Sequence, residues 1–526
     1  MLRLSNLKVP LDYSEETLRR LIVHTLSISE EELISFSVFR RSVDARDKTD
    51  VHFVISADMK LKHEPELLKK HKNLAPVHLQ APVRLPSRAF SLPPLVVGAG
   101  PSGLFAALTL AKAGACPILI ERGKPVEQRR EDISIMESRG ELDPESNYQF
   151  GEGGAGTFSD GKLTCGIKSP YLRPVLEALV EHGAPSSVLT DQKPHVGTDC
   201  LRNVIVSVRK KIISLGGTVL FETRLEELLL RGGSICGAIV SSGGVRKEIL
   251  SDHVLLCIGH SARDTVQHLF NQGVRMAQKP FAIGVRIEHP RRIIDRAQYG
   301  AFAGHPALGA ASYKLVCHTP DQRGVYTFCM CPGGYVIPAA SQPLGVVVNG
   351  MSFHARDAVN SNSALLVGVR TEDFGDDHPL SGMIMQRTIE KAAYTAGGGN
   401  YSAPAQRVED FLSDRASSRF GEVTPSYRPG VTPVDLRAVL PGFICLNLKK
   451  GIRAMNAQLP GFAMPDAVLT APETRSSSPV RMLRIRSGES ESFAGLYPVG
   501  EGAGYAGGIV SSAIDGITAA MNILSE

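Results

Sequence analysis

Leu95-Val-Val-Gly98-Ala-Gly100-Pro-Ser-Gly103-Leu-Phe-Ala-Ala-Leu-Thr-Leu-Ala-Lys-Ala-Gly114, followed by Pro117-Ile-Leu-Ile120-Glu121-Arg122, is the stretch that decides the fold. Leu95 to Val97 is too short and too apolar for anything but a buried strand. Pro101 is suited to the first turn of a helix that runs through Ala- and Leu-rich sequence to Gly114, and Pro117 to Ile120 is a second apolar strand. Together they predict a βαβ opening with parallel, buried strands. Each glycine has a mechanical reason. Gly98 makes the tight turn, and Gly100 lets backbone approach a pyrophosphate at the helix N-terminus, beside Pro101 and Ser102. Gly103 lets helix and strand pack closely, and Glu121, next to Arg122, can accept hydrogen bonds from ribose hydroxyls. The spacing predicts a dinucleotide site.

The composition around this stretch is that of an ordinary globular chain. Its 526 residues allow about three or four domains. Apolar residues make up 43% and charged residues 21%, which excludes disorder, coiled coil and collagen. A net charge of +5 over this length argues against nucleic acid as a partner, because phosphate binding needs a clustered basic surface. The nine Cys contain no C-x-x-C pair, so neither a disulfide framework nor a metal site is expected. A reducing, cytoplasmic setting is. The N-terminal residues lack an apolar core after a basic start, so no signal peptide is expected. The apolar stretch from Ser91 to Ile120 is punctuated by Pro and Gly, which argues against a membrane span. Two entries are unusual: Trp is absent, and Gly stands at 51, where average usage would give roughly 37.

Along the chain, residues 1–72 read as a small α+β unit: strands at Leu2 to Val9, Ile34 to Arg40 and Val51 to Ala57, and a helix from Ser14, a good N-cap, to about Leu26. Residues 73–94, with Pro76, Pro82, Pro86, Pro93 and Pro94, read as a linker. A dinucleotide-binding domain is expected over 95–264 and again over 480–526. It includes a helix capped by Thr198 and an antiparallel meander at Thr223 to Leu230, Ile235 to Ser241 and Val245 to Leu250. Residues 265–479 lack a βαβ rhythm and read as an inserted α+β substrate domain. Its candidate strands are Phe281 to Glu288, Tyr326 to Met330, Gly345 to Val348 and Leu365 to Val369, followed by mainly helical sequence to about Met455.

NAD and FAD share the first fingerprint, and the C-terminal run separates them. Leu496-Tyr-Pro-Val-Gly500-Glu501-Gly-Ala-Gly504-Tyr-Ala-Gly507-Gly508-Ile509 resembles the C-terminal FAD signature of glutathione-reductase-type flavoproteins. The resemblance implies that an acidic residue after the strand glycine, here Glu501 rather than the usual Asp, holds the ribityl chain. The helix that follows then points its N-terminus at the flavin, a favourable end for the charge of the reduced ring. Phe150-Gly-Glu-Gly153-Gly154-Ala-Gly156-Thr-Phe-Ser-Asp-Gly161-Lys162-Leu163, Gly259-His260-Ser-Ala-Arg263-Asp264, Tyr326-Thr-Phe-Cys329-Met-Cys331-Pro-Gly-Gly and Glu473-Thr-Arg475-Ser-Ser-Ser-Pro-Val-Arg481 extend the likeness. With them the chain is similar to a bacterial family of uncharacterised FAD-dependent dehydrogenases. That resemblance implies bound FAD and a Rossmann-like α/β FAD domain holding an inserted substrate domain. It adds Gly153, Gly154, Lys162, Leu163, Gly259, Gly500, Gly507, Gly508 and Ile509 to the cofactor-binding residues.

Gly151, Gly153 and Gly156 also spell GxGxxG, but no apolar strand precedes them and no helix follows, so a loop along the FAD is expected in place of a second dinucleotide site. With no dedicated nicotinamide domain, NADH or NADPH would act as a transient donor at the flavin face, or the donor is not a nicotinamide. Candidates for chemistry are Cys329 and Cys331, read as core or turn cysteines or as redox thiols, and His260, with Arg263 and Asp264 as ligand contacts or a salt-bridged helix start. Arg475 and Arg481 suit an anion or a structural role. Lys60 to Lys72, with Arg40 and Arg41, is read as a solvated face or an RNA-binding patch. The expected function is an FAD-dependent oxidoreductase passing hydride through flavin N5 to or from a small organic substrate. The alternatives are an RNA-binding or RNA-modifying flavoprotein and a non-catalytic FAD-binding protein.

Overall fold

The computed structural model describes residues 1–78 and 83–526. Its centre is a five-stranded parallel sheet, ordered Leu496–Pro498, Val254–Leu256, Leu95–Val97, Ile118–Ile120 and Thr218–Leu220. The strands are three residues long and almost wholly buried at the centre, as short apolar runs between covering helices must be. Helix Pro101–Lys112 buries ten of its twelve residues. Helix Ile509–Ser525 lies against it, where Gly516 allows close approach: a Cβ there would sit 2.1 Å from Ser102 O. The predicted meander is present as Thr223–Arg231, Ser234–Ser242 and Val245–Leu250. The fold is thus α/β with a Rossmann-like parallel sheet and meander. Helix Thr198–Ser214 also forms, but its N-cap is Gly197, at φ +83, and not Thr198. A Cβ at 197 would meet His354 N at 2.3 Å, and the Thr198 hydroxyl instead donates to Thr157 O at 2.9 Å.

The chain leaves this sheet after Val254–Leu256 and returns at Leu496–Pro498. Between them lies a seven-stranded sheet ordered Val316–His318, Gly324–Cys331, Asn360–Val369, Phe281–Pro290, Val468–Glu473, Ala403–Arg407 and Val431–Pro433. On the Phe281–Pro290 strand, Phe281, Ile283, Val285 and Ile287 enter the core shared with helices Ser381–Ala396 and Gly442–Gln458. The alternate positions, Arg286 among them, turn to the opposite face.

Three departures from the sequence reading occur here. The segment expected to be mainly helical contains the strand Ala403–Arg407, whose Ala, Pro and Gln carry no β-branched signal but are buried in the sheet, and beside it the short half-buried edge strand Val431–Pro433. The strand placed at Gly345 to Val348 runs from Val348 to Met351, because Val346 N donates to Glu390 O instead of to a neighbouring strand. The strand read from Leu365 begins at Asn360, since its polar start is buried and bonded: Ser361 Oγ accepts from Gly333 N at 3.0 Å, and Asn360 Nδ2 donates to Thr424 O at 2.9 Å.

The N-terminal unit is a four-stranded antiparallel sheet, ordered Leu33–Asp44, His52–Leu61, Leu2–Val9 and Leu74–Pro76, covered by helix Glu15–Leu26 through Leu18, Ile22 and Leu26. Ser14 caps that helix by accepting from Thr17 N. Leu74–Pro76 falls in the stretch read as linker, and Pro82 of that stretch lies outside the described residues. The Lys60 to Lys72 run does not form one face: Lys60 lies within the strand His52–Leu61, and only Lys69 and Lys70 lie on the short helix Glu64–Lys70. Arg41 is committed to Asp191 at 2.9 Å, tying this unit to the rest of the chain. Among the described residues, no helix is long and apolar enough to cross a membrane, and no cluster of His, Cys, Asp and Glu could hold a metal.

Candidate functional site

A cleft opens where the C-terminal ends of the parallel strands face the inner face of the seven-stranded sheet. Gly98, at φ +103, turns the chain out of its strand so tightly that a Cβ would lie 2.5 Å from Cys257 O. At Gly103 a Cβ would lie 1.8 Å from Gly98 O, the close packing the spacing predicted. Helices Pro101–Lys112 and Ile509–Ser525 both begin at this cleft, and neither start has a side-chain cap. Two partly positive helix ends with free N–H groups therefore face one cavity.

Glu121 is 5% exposed and binds three loops together. Its Oε2 accepts from Ala99 N at 2.8 Å, and its Oε1 accepts from Gly123 N at 3.0 Å and Gly151 N at 2.9 Å. A carboxylate has about four acceptor positions, so one remains for a ribose hydroxyl. The second glycine run lies against the first. Gly153 N donates to Ala99 O at 2.8 Å, and a Cβ on Gly154 would come within 3.1 Å of Gly100 Cα. It is a loop along the same cleft, ending in the short 3-10 turn Gly154–Phe158.

The sequence reading missed the residue that holds this loop. Arg129 is fully buried and donates to Asn147 O, Glu152 O and Gly154 O at 2.7, 2.8 and 2.9 Å, and burial pulls its guanidinium down to about 10. An arginine in the polar segment of helix Val126–Arg139 carries no local sign of that role.

At the other end of the cleft, His260 Nδ1 lies 3.2 Å from Glu501 Oε1, while His260 Nε2 is buried with no partner. Burial pushes the Glu501 carboxyl up, but His260 outweighs it and holds the group below its usual range. Glu501 Oε2 also accepts from Gly508 N at 3.3 Å, at the start of the C-terminal helix.

The seven-stranded sheet supplies the facing wall. Arg286, fully buried, donates from Nε to Asn362 Oδ1 at 3.1 Å and from Nη2 to Cys329 O at 2.8 Å. Gly350 makes room for it, since a Cβ there would lie 1.9 Å from Nη2. Cys331 Sγ donates to Cys329 O at 3.3 Å, so Cys331 is committed within the wall. Cys329 faces the cleft and is exposed there.

Two buried ionic clasps join the walls. Glu390 accepts from Arg263 (2.7 and 2.8 Å), Arg475 (3.0 and 3.1 Å) and Thr474 Oγ1 (2.8 Å). Arg356 Nε donates to Asp160 Oδ1 at 2.9 Å, and Lys162 Nζ lies 3.0 Å from Asp160 Oδ2. In both carboxylates burial pushes upward, but the adjacent cations outweigh it and hold the group well below the carboxylate range.

Comparison with known proteins places this arrangement. Residues 280–476 match the model of the FAD-dependent protein, C-terminal domain-like family, and residues 1–60 match a domain of unknown function, DUF8436. An uncharacterised protein of Clostridium beijerinckii is 44% identical over 530 residues, spanning 100% of this chain and 99% of that one. The chain belongs to this family of FAD-dependent proteins. Weaker structural likenesses include a geranylgeranyl bacteriochlorophyll reductase-like protein of Thermoplasma acidophilum (12% identity, TM-score 0.35, 82% of this chain and 77% of that one). The FrdA subunit of the E. coli quinol fumarate reductase gives 12% identity and TM-score 0.38 over 83% of this chain and 70% of that one.

The cleft's donor set fits FAD: two uncapped helix starts, close-packed glycine backbone and a buried carboxylate with one acceptor position left. Of the residues expected to bind it, Gly98, Gly100, Pro101, Ser102, Glu121, Arg122, Gly154, Lys162, Gly259, Glu501, Gly507, Gly508 and Ile509 line the cleft. Gly103, Gly153 and Gly500 stand behind it, where their missing side chains permit close packing. Leu163 is instead a core residue beside Phe105 and Val175. Arg122 lines the cleft while bound to Glu145 at 2.8 Å and Asp264 at 2.9 Å, which makes Asp264 the salt-bridged helix start. Arg263 and Arg475 belong to the Glu390 clasp. Arg481 is exposed, with its guanidinium 5.2 Å from the Tyr505 ring centre, away from the cleft.

Proposed function

We propose that the protein is an FAD-dependent oxidoreductase that acts on a small organic substrate held between the glycine-loop wall and the seven-stranded sheet. One observation carries the reading: both helix starts expected to flank a dinucleotide open on a cleft whose far wall comes from the inserted segment, with Cys329 and Glu473 on the seven-stranded sheet and Asn349 on the strand Val348–Met351. A protein that only stores FAD has no need of a second, charged wall across from it. Bound FAD would supply two-electron chemistry, taking up or giving back a hydrogen together with its electron pair.

In this reading Gly98, Gly100 and the start of helix Pro101–Lys112 hold the pyrophosphate through backbone N–H groups, and Glu121 accepts from the ribose. Glu501, with His260, orients the ribityl end at the start of helix Ile509–Ser525. The Glu390 and Asp160 clasps keep the walls in register and water out. NADH or NADPH, if either is the donor, binds transiently at the open face.

Anaerobic titration of the purified yellow protein with NADH and NADPH, followed by a screen of oxidising acceptors, tests this. Bleaching by a donor and recovery with an acceptor is the expected result. A flavin spectrum that no donor moves would leave a non-catalytic FAD-binding protein.

A further inference from the structure

Glu473 ends the strand Val468–Glu473, is 3% exposed, and lines the cleft on the substrate side. Its Oε2 lies 3.3 Å from Arg286 Nη1, yet neither atom has a hydrogen-bond partner. Arg286 cannot swing to close the pair, because Asn362, Cys329 O and Cys331 Sγ hold its Nε and Nη2. Glu473 is therefore a buried carboxyl with one cation nearby and unused bonding capacity, set in the wall that faces the substrate.

The other titratable groups around it are committed or unsuited. Lys162 lies beside Asp160, Arg475 is bound to Glu390, Cys331 donates within its own strand, and an exposed thiol such as Cys329 is mostly protonated near neutrality. We propose that Glu473 is the proton-exchanging residue on the seven-stranded-sheet side of the cleft, taking a proton from the substrate as it is oxidised and returning it on reduction. The inference rests on the oxidoreductase reading above.

For an alcohol or amine, as the example, the substrate C–H bond breaks in the oxidising direction, and bound FAD would take up its hydrogen and electron pair. The O–H or N–H bond on the same carbon breaks, its proton passes to the Glu473 carboxylate, and a C=O or C=N bond forms. Reduction returns both. Arg286 lets the carboxylate exist in a buried setting without locking it, since no hydrogen bond joins them. Burial pushes the Glu473 carboxyl up to about 7 against the pull of Arg286, so both protonation states are populated near neutrality, as proton transfer requires.

The test uses FAD-loaded wild type, Glu473→Gln and Glu473→Asp, with no substrate needed. In infrared difference spectra taken across neutrality, a carboxylic-acid carbonyl signal should fall as pH rises. Part of that signal should be missing in Glu473→Gln, while the part from Glu152, also pushed up to about 7 by burial, remains. The flavin midpoint potential should change its pH dependence near neutrality in wild type and lose that break in Glu473→Gln. In Glu473→Asp the break should persist at a shifted pH, which keeps the test decisive even if Glu473→Gln fails to hold FAD. Infrared and potential profiles that match wild type in both variants, with a flavin that donors still bleach, would overturn this proposal alone. A wild-type flavin that no donor bleaches would overturn the functional reading and this inference with it.

Discussion

On one wall of the cleft Gly98, Gly100, Gly154 and Gly508 bring bare backbone to the surface, while at and behind the other Arg286 is set against Glu473 and Arg475 against Glu390, all four buried. The glycine wall works through main-chain N–H groups and helix ends, so its requirement is steric: nothing must project. The charged wall works through compensation, and its two carboxyls show how sharply the outcome depends on bonding. Glu390 has two guanidinium groups and a hydroxyl on its oxygens and is held ionised, whereas Glu473 has one unbonded arginine neighbour and is pushed up to about 7. Burial alone does not decide a carboxyl's state; the opposite charges set against it, and then the hydrogen bonds they make, do.

The largest expected effect is on the charged wall. Glu390→Gln leaves Arg263 and Arg475 buried without their counter-charge, and should lower unfolding stability by about 3–5 kcal/mol, read as a shift in the denaturant midpoint. A variant as stable as wild type would break the account of this wall as a compensated one. Gly103→Ala should cost about 1–3 kcal/mol, because its Cβ would lie 1.8 Å from Gly98 O, and should also release FAD, measured as lost flavin absorbance after gel filtration. Retention of FAD by that variant would mean that the glycine wall tolerates projection.

The pH dependence sharpens the contrast between carboxyls. Glu390 and Asp160 are depressed, so the stability they contribute is present above about pH 4.5 and is lost as pH falls further. Glu473 and Glu152 are raised, so the folded state holds protons that the unfolded chain releases, and their contribution is lost as pH rises from about 4.5 to about 7. Thermal midpoints measured across pH should fall on both sides. Glu390→Gln should flatten the acid side and Glu473→Gln the neutral side. The smallest effect is expected for Arg481→Ala, which should stay within about 0.5 kcal/mol of wild type with FAD retained, since that exposed side chain belongs to neither wall.

The glycine wall was legible because its constraints are local. A strand, a turn that forbids a side chain and a helix start lie within nine residues from Leu95 to Gly103, and the C-terminal run repeats the pattern. The meander was legible for the same reason, with Gly pairs marking its turns. The charged wall was not, because its members come from far-apart positions: Arg263 meets Glu390, and Arg286 meets Glu473. Arg475 was seen, but nothing near it in sequence names its partner. The first half of the strand Asn360–Val369, before Leu365, and the strand Ala403–Arg407 escaped because polar or small residues were buried and bonded in place, a choice made by neighbours and not by propensity.

By itself the sequence determined that backbone must come close to a dinucleotide at two points, since only glycine at those spacings permits it. Part of the glycine excess thus has a place. Only the tertiary structure decided which charges meet at the facing wall of the cleft, and so which buried carboxyl is bonded on both oxygens and which keeps an oxygen without a hydrogen-bond partner. Steric demands are written in consecutive residues, whereas electrostatic compensation exists only after distant segments have been brought together.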